Sequence, residues 1–153
     1  AQLLPQIFNN IYERYKKAVK FWIIGDGILY NSIEQEFRLH QNVDVVFWGN
    51  QNPEEMPKFM NCIDVLILPS KNEGLPLVAV EGLACGANVV GSNVGGIPEV
   101  LGEGIEINHD FIDNIVDRAV KMLETRVEQH LPSQFNWDET AEKEIEIYKK
   151  ILQ

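Results

Sequence analysis

The run Val65-Leu66-Ile67-Leu68 is apolar at every position, between Asp64 on one side and Pro69-Ser70 on the other. A strand with one wet face alternates apolar and polar residues, so a strand without alternation needs cover on both faces. That is the mark of a parallel sheet sandwiched between helices. Short β-rich runs at 20–24, 43–48, 64–68, 89–91 and 104–107 punctuate the chain. Between them lie segments with helical spacing, such as Leu4, Ile7, Phe8, Ile11 and Tyr15, which form one apolar stripe. Further helices are predicted over 30–39, 54–61, 76–85, 112–124 and 137–151. This alternation predicts an α/β domain with a Rossmann-like, doubly wound parallel sheet and right-handed crossovers.

Length and charge narrow the partners. At 153 residues, the chain is expected to form one domain. Its 13 Lys and Arg stand against 23 Asp and Glu, a net charge of −10 that repels phosphate backbones and anionic lipid. Nucleic acid and membrane contact are therefore not expected. Cys62 and Cys85 lie in apolar stretches without metal-ligand spacing and read as small, reduced core residues. A cytoplasmic location follows from them. No apolar run reaches the roughly 18–20 residues that span a bilayer, and the start Ala1-Gln2-Leu3-Leu4-Pro5 lacks the basic opening of a signal peptide. The absent initiator Met reads as a fragment of a longer protein.

In a doubly wound sheet, ligands bind outside the carboxyl ends of the strands. Four loops of that edge carry glycine: Gly25-Asp26-Gly27, Gly49-Asn50-Gln51, Pro69 to Gly74, and Ser92 to Gly96. Gly25, Gly27, Gly95 and Gly96 are candidate pocket positions where backbone approaches a ligand, or merely tight turns. The segment Glu73-Gly74-Leu75-Pro76-Leu77-Val78-Ala79-Val80-Glu81 is the most informative. A carboxylate and a glycine lead into a helix with Pro76 expected at its first position. Unpaired N–H groups of Gly74, Leu75, Leu77 and Val78 then form an anion site without a basic side chain. Glu81 is the only charge between Pro76 and Cys85, placed to accept hydrogen bonds from sugar hydroxyls or to sit on a solvent-facing edge. Lys71 is positioned to offset phosphate charge.

The pattern Pro-Ser-x-x-Glu-Gly-Leu-Pro-Leu-Val-x-x-Glu-Gly-x-Ala-Cys-Gly from Pro69, followed by Gly95-Gly96-Ile97-Pro98-Glu99-Val100, resembles the C-terminal, donor-binding domain of the GT-B retaining glycosyltransferases of family 4. Phe21 to Gly27, Val46 to Gly49, Ile63-Asp64-Val65 and Phe135-Asn136-Trp137 are similar to further motifs of that domain, so about 140 residues are covered. The resemblance implies a nucleotide-diphosphate sugar as donor and an acceptor on an N-terminal domain missing here, with transfer to a glycan or lipid-linked acceptor. It implies no cofactor and no metal. Glu81 would bind the ribose hydroxyls, and Glu73 would be the catalytic residue beside the transferred sugar. Gly49 would meet the nucleobase through backbone, with Trp48 either stacking on the base or, more in keeping with a strand Trp, in the core. Residues 135–153 correspond to the family's closing helix. The family's polysaccharide and lipopolysaccharide pathways and an inner membrane face, reached through the missing domain, are also implied.

Departures from the family pattern are specific. Its opening strand, which carries Gly-Arg and then a Lys that neutralise the leaving diphosphate, is lacking. Asn88 replaces a Pro, and the segment from Leu101 to Ile107 is short. Rival readings are a nucleotide-sugar epimerase or hydrolase, which needs an acid/base His or Asp in the crevice, and a non-catalytic nucleotide-sugar binding module. Gly25-Asp26-Gly27-Ile28-Leu29-Tyr30 breaks the dinucleotide fingerprint at its third glycine. His40, His109 and His130 form no metal or triad pattern, and no Asp-x-Asp triplet occurs.

Overall fold

The computed structural model describes residues 1–39, 42–125 and 127–151. In chain order the elements are α1 (Leu4–Tyr15), β1 (Phe21–Ile24), α2 (Tyr30–Leu39), β2 (Val45–Gly49), α3 (Met56–Met60), β3 (Val65–Leu68), α4 (Leu77–Ala84), β4 (Asn88–Gly91), α5 (Ile97–Leu101), α6 (Phe111–Thr125) and α7 (Trp137–Ile151). Every strand pairing is parallel. β1 pairs with β2, with Phe21 opposite Val45, and β3 pairs with β4, with Val65 opposite Asn88. The α/β class and the parallel pairing follow the expectation from the uninterrupted apolar runs. The sheet differs in being divided, because no ladder joins β1 to β3.

The two faces of β4 show why its sequence does not alternate. Val89, 1% exposed, packs with Ala79 and Leu83 of α4 and Val100 of α5. Val90, 2% exposed, packs on the other side with Phe8 and Ile11 of α1 and with Ile115, Val116 and Ala119 of α6. Successive side chains point to opposite faces, so both layers bury valine, worth about 1.5–3 kcal/mol each. The helical stripe of α1 lies on this larger core. On its exposed side Arg14 pairs with Asp113 and Asp117 of α6, a surface contact that adds little beside the packing.

Three expected elements are altered. The helix over 54–61 is a 3₁₀ turn, Pro53–Glu55, followed by α3. Pro57 has no N–H for the carbonyl one turn back at Pro53, so the turn tightens and the helix restarts. The strand over 104–107 is reduced to one bridge between Ile105 and Ser92. Ile105 donates its N–H to Gly91 O and accepts from Asn93 N–H, and the chain then turns as Asn108 N–H bonds Glu106 O. Helix α5 was not expected. Cys62 is exposed and Cys85 half-buried, which corrects their reading as core residues; both are free thiols. Cys62 falls on the turn after α3, where its N–H caps Phe59 O, and the apolar neighbours that suggested burial belong to β3.

After α6, Leu131 and Phe135 close over the cluster around Ala79 and Val100. The expected closing helix is α7, with its acidic residues first and Lys149 and Lys150 in its last turn, as the helix dipole favours. Residues 152 and 153 of that expectation lie outside the described residues. Ile145, Ile147, Tyr148 and Ile151 of α7 are exposed.

Candidate functional site

Parallel pairing puts the carboxyl ends of β1 and β2 on one edge, and those of β3 and β4 likewise. Gly25 N–H bonds Gly49 O at 2.7 Å, so the loop after β1 is tied at its first residue to the last residue of β2. Asp26 folds back, its carboxylate accepting the N–H of Gly27 at 2.7 Å. Trp48, at the end of β2, is 41% exposed and meets Trp22 and Phe59 edge-on. The core reading of Trp48 is thereby corrected: its ring meets Trp22 and Phe59 edge-on and stays partly open to solvent at the end of β2.

The loops after β3 and β4 are locked more closely. Ser92, wholly buried, donates its hydroxyl to Ser70 O at 2.5 Å. Ser70 in turn donates to Glu73 Oε2 at 3.0 Å. Gly96 N–H bonds Gly74 O at 2.7 Å. Gly95 has φ +53°, and a Cβ placed there would stand 1.8 Å from Glu73 O. A Cβ at Gly96 would stand 2.8 Å from Gly74 O. Only glycine admits both the left-handed backbone and this approach. Among the polypeptide's own groups, Gly95 and Gly96 therefore meet the Glu73-Gly74 backbone.

Glu73 is half-buried just ahead of α4, and Lys71 is exposed in the same loop. Pro76 occupies the N-cap and the helix starts one residue later than expected, at Leu77. The Pro76 carbonyl accepts from Ala79 N–H at 2.9 Å and Val80 N–H at 3.3 Å. The N–H groups of Gly74, Leu75, Leu77 and Val78 have no partner among the described residues, and no side chain caps the helix. These donors and the positive end of the helix make an anion cradle. Leu75 and Leu77 are exposed and Val78 half-buried, so the cradle is open to solvent. Glu81 is exposed, on the side of α4 away from the buried Ala79, Gly82 and Leu83.

The structure thus brings Lys71, Glu73, Gly74, Leu75, Leu77, Val78, Gly95 and Gly96 into two interlocked loops and one helix start. Gly25, Gly27 and Gly49 lie in the other ladder's loop pair. Ser70 and Ser92, which hold the Glu73 loop, were not singled out from the sequence; the Ser-x-x-Glu spacing of Ser70 and Glu73 was the available signal. His109 lies beside Asp110 at 3.0 Å and His130 is exposed, both away from these loops, while His40 lies outside the described residues. Among the described residues, no three His, Cys, Asp or Glu side chains gather as a metal set, and no helix is long and apolar enough to cross a membrane.

Parallel strands, flanking helices and ligand-type loops at one edge define a Rossmann-like half-domain of the GT-B type. The chain belongs to the family described as glycosyl transferases group 1, which matches residues 1–125. An uncharacterised glycosyltransferase of Methanocaldococcus jannaschii is 30% identical over 97% of this chain and 41% of its own length. The lipopolysaccharide 1,2-N-acetylglucosaminetransferase of Salmonella typhimurium is 30% identical over 92% of this chain and 42% of its own. The chain spans less than half the length of these relatives. The fold is shared with S. aureus TarM, solved with fondaparinux, alpha-GlcNAc-glycerol and UDP, at a TM-score of 0.70 and 19% identity over 81% of this chain and 26% of that one.

Proposed function

We propose that this chain is the nucleotide-sugar-binding half of a retaining glycosyltransferase, acting with an acceptor-binding domain outside this sequence. The observation that carries the reading is the pairing of a half-buried carboxylate, Glu73, with an open cradle of unpartnered N–H groups at Gly74, Leu75, Leu77 and Val78. A diphosphate needs hydrogen-bond donors, and the transferred sugar needs a negative group near its developing positive charge. The two lie in sequence order along one loop and helix. Glu81, farther along α4, takes the ribose hydroxyls, and the Gly49 backbone faces the base. Lys71 contributes positive charge toward the phosphates. Departure of the diphosphate is eased by the helix-end donors, while Glu73 stabilises the oxocarbenium-like centre.

Names of the relatives support this reading: one is a lipopolysaccharide N-acetylglucosaminetransferase and the TarM structure holds UDP. The test is calorimetric titration of the chain with UDP, GDP and ADP. Binding of one nucleoside diphosphate that is lost when Glu81 becomes Gln supports the assignment. Failure of all three to bind overturns it. Sugar transfer by this chain alone would overturn the division between donor and acceptor halves.

A further inference from the structure

Helix α7 is uncovered on every side. From Asp138 to Ile151 each residue is exposed, and among the described residues none of them joins either apolar cluster of the core. Every other α-helix buries at least one residue. With 15 residues, α7 is close to the length below which an isolated helix is marginal in water, about 12–15 residues, so it needs packing along its apolar side. That side is well defined. Ala141, Ile145 and Tyr148 recur at spacings of four and three, the seam of a two-helix contact, and Ile147 and Ile151 lie along one shoulder of it. Ile145 is 51% exposed, Tyr148 61% and Ile151 72%. The start of the helix is fixed: Leu131 and Phe135 pack on the cluster of α4 and α5, and Asn136 Oδ1 accepts the N–H of Asp138 at 2.9 Å.

The charges select the partner. Apart from Lys143, the helix is acidic through Asp138, Glu139, Glu142, Glu144 and Glu146 and turns basic at Lys149 and Lys150. None of these side chains forms an ion pair among the described residues. Asp138, Glu142 and Lys149 lie on the other shoulder of the seam, since steps of four and seven residues return to nearly the same side. In a symmetric parallel pair, Asp138 meets Asp138 and Tyr148 meets Tyr148. In an antiparallel pair centred near Ile145, Lys149 of one helix lies across from Asp138 and Glu142 of the other. Tyr148 then fills the space over the small Ala141, and the two helix dipoles oppose.

We propose that α7 is a self-association surface whose occupant is α7 of a second copy of this chain, packed antiparallel. Two-fold symmetry makes each contact twice, so one helix supplies both halves of the charge pattern. A single helix pair is small beside the roughly 1,000 Å² of a lasting interface, and each chain carries a net charge of −10. The dimer is therefore weak and reversible. This inference does not depend on the nucleotide-sugar reading.

The test is sedimentation of the full 153-residue chain over about 10 μM to 1 mM, the range suited to so small an interface. The average mass is expected to climb with concentration from 17.5 kDa toward twice that value. Ile145→Glu should abolish the association and Lys149→Glu should weaken it by about 10-fold. A one-to-one mixture of Lys149→Glu with a chain carrying both Asp138→Lys and Glu142→Lys should restore it. All of these positions are exposed, so unfolding midpoints should match the parent's. Orientation is read by cross-linking: Ala141→Cys and Tyr148→Cys, each combined with Cys62→Ser, should form a disulfide when mixed and oxidised. A monomer throughout the range overturns the proposal, as do a dimer that survives Ile145→Glu, a charge-reversed mixture that stays monomeric, and cross-linking of Ala141→Cys with itself alone. Protection of the α7 amides in a monomer, once the chain is joined to an acceptor-binding domain, would overturn it as well.

Discussion

A Cβ at Gly95 would stand 1.8 Å from the carbonyl oxygen of Glu73. The glycine loop after β4 and the carboxylate loop after β3 are therefore one packed unit, and the position of Glu73 depends on a residue 22 places further along the chain. Gly95→Ala is expected to cost about 1–3 kcal/mol of stability in strain and to push the Glu73 loop outward. Chemical denaturation and the affinity for nucleoside diphosphate should both fall in this variant. An unaltered affinity would mean that the loop holds its shape without the glycine.

Ser92 supplies the second lock. Its hydroxyl is wholly buried and bonds Ser70 O, so Ser92→Ala leaves that carbonyl without its partner at a cost of about 1–3 kcal/mol. Urea unfolding should show the midpoint moving with the slope unchanged.

Glu81 is exposed and its carboxylate makes no hydrogen bond or ion pair among the described residues, so Glu81→Gln should leave stability within about 0.5 kcal/mol of the parent. Nucleoside diphosphate affinity should drop by about 1–3 kcal/mol, the range for a lost charged hydrogen bond. Equal calorimetric affinities for parent and variant would take Glu81 out of the ribose role.

Glu73 should behave differently. In a protein that joins this chain to an acceptor-binding domain, Glu73→Gln is expected to leave bare nucleotide affinity nearly unchanged and to lower turnover by about 10²-fold or more. Ser70→Ala, which frees the Glu73 carboxylate to wander, should give a smaller loss in kcat with the same nucleotide affinity. Full-rate transfer by Glu73→Gln would exclude Glu73 from the chemistry.

Local patterns sufficed wherever an element is decided by its own residues. The apolar run Val65 to Leu68 announced a strand covered on both faces, the stripe from Leu4 to Tyr15 announced α1, and Pro76 marked the start of α4 to within one residue. The candidate residues Glu73, Gly74, Leu75, Leu77 and Val78 were readable as one group because they fall in a single short segment around Pro76, and helix geometry leaves the donors of Leu77 and Val78 without partners. The exposure of Cys62 and Trp48 departs from the reading of their neighbours because it depends on which way a turn faces and on what covers the end of a strand. The break between Pro53–Glu55 and α3 follows from the placing of Pro57 one turn after Pro53.

Tertiary structure alone decided the rest. Gly95 and Gly96 carry the same symbol as any turn glycine, and only the folded chain presses them against Glu73 and Gly74. Ser70 and Ser92 became partners because parallel pairing brings the ends of β3 and β4 together across 22 residues. A sequence determines what each segment is able to bury and bond; which neighbour meets that need depends on the path of the whole chain.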